Sequence, residues 1–257
     1  AHIYLYEGGG IALNSGVSVR LIEGDRGRFT AEDVLENINN KLDIHLPITS
    51  LVCIEDTVNK GGGAIWDIEE IRKIANVCKE NNLKFHCDGA RLFNALVESK
   101  TDASEYGSYF DSISICLSKG LGAPVGSLLL GSKAFIEKAR RRRKSLGGGM
   151  RQAGMLAAAG IVALEIERLR LQEDHNRCKE IEAHLLSTQL AAETLPVETN
   201  ILIWKPNNFS VEEMVEKLKA LNILSFPFGK EWIRFVIHRD ISEAMIIELK
   251  RRISSLT

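Results

Sequence analysis

The spacing of apolar residues along the chain predicts alternating strands and helices. Short apolar runs at 50–55, 85–88 and 113–117 are typical of buried strands. Between the first two runs, 67–81 has apolar side chains at helical spacing and predicts an amphipathic helix, and 92–98 predicts another. Strands that alternate with helices in this way predict a mostly parallel sheet covered by helices.

Further elements are predicted on both sides of this block. Alternation over 17–23 predicts a strand, and Thr30 with Asp33 three positions later predicts a helix start with a capping box. Helices are predicted over 133–144, 150–171, 173–190, 210–221 and 242–253, and strands over 199–204 and 233–238. The pattern indicates an α/β protein with a large domain, 1–154, and a small C-terminal α/β domain, 155–257, that includes the linking helix.

Composition and charge exclude several classes of partner. The chain has 257 residues, of which 45% are hydrophobic and 26% charged, and its net charge is −1. A nearly neutral chain has no global attraction to nucleic acid or to an anionic membrane, and no apolar run reaches membrane-spanning length. The five cysteines include no CxxC pair and mostly lie in apolar runs. We therefore expect small core thiols in a reducing compartment, the cytoplasm.

One lysine, Lys119, lies in a turn of small residues between two strand-like runs, 113–117 and 127–130. Glycines in such a turn let another molecule approach the backbone closely. Apolar neighbours favour the neutral amine, which is the form that reacts with a carbonyl to give a Schiff base. The alternative is a surface lysine in a hairpin loop.

Glu55, Asp88 and Lys119 all follow strand-like runs, so a parallel sheet would bring them to one edge. Asp88 precedes Arg91, and a carboxylate near an arginine stays ionised. Such a carboxylate can pair with a protonated ring nitrogen, as a pyridoxal phosphate site requires. The alternative for this pair is a helix N-cap followed by an exposed arginine.

Six stretches carry a family resemblance, in the family's order along nearly the whole chain: HIYLYEGGG, DIHLPITSLVCIEDT, FHCDGARLFNA, SICLSKGLGAPVGSLLLG, RKSLGGGMRQAG and IRFVIH. With them the sequence resembles the threonine aldolase branch of the β-eliminating lyases. These enzymes depend on pyridoxal 5'-phosphate (PLP) and have the aminotransferase fold of type I. The resemblance implies that 1–154 is the PLP-binding domain.

The resemblance also implies roles for individual residues. Lys119 would bond covalently to PLP, and Asp88 would bind the pyridine nitrogen. Arg91 would lie beside the cofactor, His2 would stack on the pyridine ring, and His45 would lie near the substrate hydroxyl. His2 could instead be a disordered end residue, and His45 a loop residue without a role.

Three further basic residues match the family's pattern. Arg234 matches an arginine that binds the substrate carboxylate, for which a bidentate guanidinium is suited. Lys144 and Arg151 match residues near the cofactor phosphate, supplied across a dimer interface. The assembly implied is therefore a homodimer or a homotetramer.

The implied reaction cleaves threonine or allo-threonine to glycine and acetaldehyde by retro-aldol chemistry. The base that takes the hydroxyl proton could be His45, His2 or an ordered water. Two alternatives stay open, namely another PLP-dependent β-eliminating lyase and a truncated, non-catalytic member of the family.

The sequence departs from the family's pattern at two places. Asp56 and Val58 stand where the family has an amide and a histidine, which puts substrate preference in question. Family members also carry a helix-rich segment before the residue that matches His2, including a turn that cradles the cofactor phosphate. We therefore expect the chain to be a fragment.

Overall fold

The computed structural model describes residues 1–256 and contains two four-stranded sheets. The first comprises β1 (Leu51–Glu55), β2 (Lys84–Gly89), β3 (Ser112–Cys116) and β4 (Ser127–Gly131), adjacent in that order. The strands β1, β2 and β3 are parallel, and β4 runs antiparallel to β3. This sheet confirms the predicted α/β fold with a mostly parallel sheet.

The second sheet comprises β5 (Ala191–Thr194), β6 (Ile201–Pro206), β7 (Phe226–Phe228) and β8 (Trp232–Val236). Its order is β5-β6-β8-β7, and all of its neighbouring strands are antiparallel. The predicted strands at 199–204 and 233–238 are thereby confirmed, whereas β5 and β7 were not predicted. The boundary between 154 and 155 stays a prediction.

Helices surround both sheets. They are α1 (His2–Leu5), α2 (Gly10–Ser15), α3 (Ala31–Glu36), α4 (Ile68–Glu80), α5 (Leu92–Ser99), α6 (Ala103–Ser108), α7 (Lys133–Ser145), α8 (Gly154–Glu165), α9 (Leu171–Ser187), α10 (Val211–Ala220) and α11 (Glu243–Ile253). Within residues 1–256, none of these helices combines the length and the apolar character needed to cross a bilayer.

Local chemistry accounts for where several helices begin. Thr30 and Asp33 form the predicted capping box of α3, and Ser210 with Glu213 forms another at α10. The carboxylate of Asp67 accepts the Glu69 N–H at the start of α4. That helix then buries Ile71 and Ile74 completely against the first sheet, in the main core cluster.

Two predicted elements are wrong. The alternating segment 17–23 forms no strand, because none of the strands in residues 1–256 pairs with it, and Val17 and Leu21 are exposed. The predicted long helix over 150–171 is interrupted: α8 ends at Glu165, and a 3₁₀ turn over Glu167–Arg170 leads into α9. At this turn Glu167 pairs with Arg239 at 3.2 Å, a contact that helical periodicity cannot predict.

Candidate active site

Asp88 and Glu55 lie side by side at the carboxyl end of the parallel sheet. Glu55 ends β1 and is the register partner of Asp88 in β2, and both side chains are buried. Lys119 follows the end of the neighbouring strand β3 by three residues, and its positive charge opposes the rise that burial causes in the pKa of Asp88. The structure therefore brings Glu55, Asp88 and Lys119 to one edge of the sheet, as predicted.

Lys119 begins a tight turn. The Gly122 N–H donates to the Lys119 carbonyl at 2.9 Å, and Gly122 has a positive φ of 71°. The Leu117 N–H donates to the Gly126 carbonyl at 2.9 Å, which closes the loop between β3 and β4. The side chain of Lys119 is exposed, so an incoming carbonyl compound can reach its amine.

The environment of Asp88 differs from the expectation that an arginine keeps it fully ionised. Burial raises the pKa of the Asp88 carboxyl, and the negative charge of Glu55 raises it further. Lys119 acts in the opposite direction, and the Ser114 hydroxyl is a weak donor at 3.5 Å. A backbone N–H of Ala90 also lowers the pKa, but the effect of burial is larger. A buried carboxylate of this kind suits a cationic ligand group such as a protonated pyridine nitrogen.

Two arginines from different elements lie near each other at this edge. Arg91 precedes α5 and Arg234 belongs to β8, and each is half-buried. Burial lowers the pKa of Arg91, and the positive charge of Arg234 lowers it further. Arg234 Nη1 donates to Asn59 Oδ1 at 3.3 Å, and its guanidinium lies 5.8 Å from the Phe228 ring centroid. A pair of guanidinium groups with few anionic partners suits a bound carboxylate.

His2 reaches the same edge through its backbone. Its N–H donates to Glu55 Oε2 at 2.7 Å. The ring Nε2 lies 2.8 Å from Glu7 Oε1, and the ring stacks on Tyr6 with centroids 4.6 Å apart. The backbone of His2 is thus anchored to Glu55, while its imidazole is held by Glu7 and Tyr6.

Within one copy of the chain, no described hydrogen bond links the other three predicted residues, His45, Lys144 and Arg151, to these site residues. His45 is exposed between α3 and β1, and its backbone N–H donates to Asp43 Oδ1 at 3.0 Å. Lys144 and Arg151 are exposed near the end of α7, and Lys144 Nζ donates to the Gly149 carbonyl at 3.4 Å. None of the hydrogen bonds described for residues 1–256 connects these three residues to Asp88 or Lys119, and their roles stay predictions.

Asp56 and Val58, the two residues that depart from the family pattern, are both buried. Val58 packs in the core beside Gly27, where an added Cβ would come within 2.8 Å of Val58 Cγ1. Asp56 is fully buried and accepts the Tyr106 hydroxyl at 2.8 Å. Burial raises the pKa of Asp56 to about 7.

Two groups that support the site were not predicted from the sequence. Asn59 holds Arg234, and its only signal was a polar side chain shortly after a strand. Asn94 in α5 lies near Gly120, beside Lys119, and its Oδ1 is 3.0 Å from His175 Nε2 in α9. His175 Nδ1 is 2.9 Å from Glu98 Oε2, so α9 braces the helix that follows Asp88. No pattern in the sequence indicated that pairing.

Comparison with known proteins identifies the family. The family model described as β-eliminating lyase matches residues 1–207. The low-specificity L-threonine aldolase of Escherichia coli K12 is 38% identical over 252 residues, which cover 97% of this chain and 73% of that protein. The Candida albicans low-specificity L-threonine aldolase is 41% identical over 221 residues, which cover 84% of this chain and 58% of that protein.

Solved structures agree on the fold. The Leishmania major threonine aldolase superposes with a TM-score of 0.84 at 21% identity, covering 99% of this chain and 75% of that one. A histidinol-phosphate aminotransferase from Clostridium acetobutylicum gives 0.65 at 15% identity, covering 88% of this chain and 67% of that one. The chain thus has the fold shared by threonine aldolases and aminotransferases, and it belongs to the β-eliminating lyase family, in the threonine aldolase branch.

Proposed function

We propose that this protein is a PLP-dependent carbon–carbon lyase that cleaves threonine or allo-threonine to glycine and acetaldehyde. The observation that carries the proposal is the convergence of Asp88 and Lys119 at the ends of two neighbouring parallel strands, beside Arg91 and Arg234. The relatives named above as low-specificity L-threonine aldolases support the same reaction.

The residues present fit the cofactor. Asp88 is a buried carboxylate that would bind a protonated ring nitrogen, and the exposed Lys119 amine would bond to the cofactor carbonyl. Arg91 and His2 would hold the ring, and Lys144 and Arg151 would bind the phosphate from a partner subunit. When bound, PLP supplies an electron sink for the pair of electrons left by carbon–carbon cleavage.

The chain's own residues would orient the substrate and move one proton. Arg234 binds the amino-acid carboxylate, and Asn59 fixes its guanidinium. The β-hydroxyl proton goes to His2, to His45 or to an ordered water. For His2, the Glu7 carboxylate favours a proton on Nε2, so Nδ1 is the nitrogen that would accept the hydroxyl proton.

The test uses product analysis with threonine, allo-threonine and serine. We expect glycine and acetaldehyde in equal amounts from at least one threonine isomer, together with the absorbance of bound PLP. Lys119→Ala should lower the rate about a thousandfold or more because it removes the nucleophilic amine. The exposed Lys79→Ala is the matched control and should keep the wild-type rate. Keto acid from serine without any acetaldehyde would instead identify a β-eliminating lyase, and full activity of Lys119→Ala would refute the lysine assignment.

We propose further that the active form is a homodimer or homotetramer in the cytoplasm, serving threonine catabolism and glycine supply. Exposed Lys144 and Arg151 support assembly, as do apolar side chains on α8, where Met155 is 87% exposed and Ile161 54%. Free thiols at all five cysteines are consistent with a reducing compartment. Light scattering measures the mass in solution, and imaging of a fluorescent fusion locates the protein; an active monomer would contradict the assembly.

A further inference from the structure

One buried carboxylate, that of Glu55, ties together two segments of the site. Its side chain is 7% exposed, and both of its oxygens accept backbone N–H groups. Oε2 accepts from His2 at 2.7 Å, and Oε1 accepts from Asn59 at 2.9 Å. The Glu55 carbonyl also accepts the Trp66 indole N–H at 3.0 Å, which anchors the residue at the strand end.

Each of the two donors belongs to a segment with a different task. The His2 backbone carries the imidazole that bonds to Glu7 and stacks on Tyr6. The Asn59 side chain accepts from Arg234 of the second sheet. Glu55 is therefore linked to the imidazole through the backbone of His2, and it is linked to the carboxylate-binding Arg234 through Asn59.

An acid at this position is costly, which argues against a simple space-filling role. Glu55 is the register partner of Asp88, and its charge raises the pKa of Asp88. Two buried carboxylates side by side repel each other. A carboxylate nevertheless offers two equivalent acceptors, whereas the amide of glutamine has one oxygen and would turn an N–H donor toward one of the backbone N–H groups.

We propose that Glu55 is a positioning residue for the reaction. It holds the His2 imidazole and the Asn59–Arg234 pair in place relative to Asp88 and Lys119. This inference rests on the proposed function and deepens it. Glu55 touches neither cofactor nor substrate in this assignment. It acts through the two N–H groups that it accepts, and its charge also raises the pKa of Asp88.

The first experiment compares Glu55→Gln with Glu80→Gln, a control at an exposed position near the end of α4. We expect Glu55→Gln to weaken PLP binding about tenfold and to raise KM for threonine about tenfold. The reason is that the backbone N–H groups of His2 and Asn59 each lose a charge-assisted hydrogen bond or its geometry. The control should change neither quantity. Unchanged PLP affinity and unchanged KM in a folded Glu55→Gln protein would overturn the proposal.

The second experiment separates positioning from general destabilisation. Asn59→Ala keeps the backbone N–H that Glu55 accepts but removes the contact to Arg234, so it should raise KM and leave PLP affinity unchanged. In the Asn59→Ala background, Glu55→Gln should raise KM no further. Full additivity of the two KM effects would contradict action through Asn59, and so would an unchanged KM in Asn59→Ala alone.

If Glu55→Gln does not fold, Glu55→Asp carries the test. It keeps the charge, but its shorter side chain cannot reach both N–H groups, so it should also weaken PLP binding and raise KM. Unchanged values in a folded Glu55→Asp protein would overturn the proposal. PLP and glycine binding are followed by absorbance and need no turnover. If the wild-type protein does not cleave threonine, the proposed function fails. The role of Glu55 is still decided in that case, because the affinities of wild type and Glu55→Gln for PLP and glycine are compared without turnover.

Discussion

Asp56 is the residue at which this chain departs most consequentially from its family's pattern. It is fully buried in the loop after β1, and Oδ2 accepts the Tyr106 hydroxyl at 2.8 Å. Burial raises the pKa of Asp56 to about 7, so the folded protein binds a proton there that the unfolded chain releases near pH 4.

This raised pKa predicts a specific dependence of stability on pH. Below about pH 4 the Asp56 carboxyl is protonated in both the folded and the unfolded state, so its titration does not lower the free energy of unfolding. As the pH rises toward 7, the unfolded state ionises while the folded state must either keep its proton or bury a charge, and stability falls by a few kcal/mol in total. Asp56→Asn removes this titration, and its amide oxygen can still accept from Tyr106. Denaturant unfolding at pH 5 and pH 8 should show a smaller loss for the variant than for the wild type.

A matched substitution isolates the effect of burial. Asp240 is exposed near the end of the second sheet, and Asp240→Asn should leave the difference between pH 5 and pH 8 at the wild-type value. An Asp56→Asn protein that loses as much stability as the wild type over this range would show that Asp56 ionises normally.

At the residue scale, the polar groups that follow strands were predictable, whereas the hydrogen bonds that join them to distant residues were not. Asp88 and Lys119 were predictable, because parallel strands deliver their carboxyl ends to one edge. The Asn59–Arg234 bond joins the loop after β1 to β8 across 175 positions, and no local pattern encodes it. The buried state of Asp56 was equally hidden, since its pKa depends on the tertiary surroundings.

At the scale of secondary structure elements, helix starts were the features most securely encoded. Thr30, Asp67, Ser210 and Ser242 each accept a backbone N–H in the first turn of a helix, as their side chains suggest. Strand prediction failed at 17–23 for a physical reason. Alternation shows that a segment can pair, whereas a strand also needs a neighbour whose backbone groups are available.

The capping box of α10 gives a measurable contribution. The Ser210 hydroxyl accepts the Glu213 N–H at 3.2 Å, and the Glu213 carboxylate accepts the Ser210 N–H at 2.9 Å. Ser210→Ala removes one half of this box and should lower the free energy of unfolding by about 1 kcal/mol. Urea denaturation followed by circular dichroism measures the change in midpoint.

Ser104→Ala serves as the comparison, because this exposed serine lies inside the first turn of α6 rather than at a cap. Alanine has the higher helix propensity, so that variant should be neutral or slightly more stable. Equal midpoints for Ser210→Ala and the wild type would mean that α10 is held by packing alone.

At the scale of the whole molecule, the two sheets are joined by the loop that follows β1. Thr199, just before β6, donates its hydroxyl to the Gly63 carbonyl at 3.0 Å. Arg26 donates to the Gly61 carbonyl at 2.7 Å and to the Pro196 carbonyl at 2.8 Å, and it also pairs with Glu198. The same loop carries Asn59, so the geometry of the arginine pair depends on how the sheets are held together.

Gly63→Ala tests this dependence. Gly63 has a positive φ of 75°, and an added Cβ would meet Thr199 Oγ1 at 2.3 Å, far inside contact distance. The strained backbone and the overlap should together cost about 2–4 kcal/mol of stability. Because the overlap displaces the loop that carries Asn59, KM for threonine should rise as well. Chemical denaturation and steady-state kinetics measure the two effects.

Two further variants distinguish overlap from strain. Gly107→Ala in α6 introduces a Cβ with nothing within 4 Å and without a positive φ, so it should keep both stability and KM. Thr199→Ala removes the hydroxyl that the new methyl group would strike. The double variant Gly63→Ala/Thr199→Ala should therefore be more stable than the sum of the single changes predicts, with the positive φ leaving a residual cost of about 1 kcal/mol. If the stability changes of the two single variants add strictly, the whole loss of stability in Gly63→Ala comes from the backbone of Gly63. The overlap with Thr199 would then not be the cause of a raised KM.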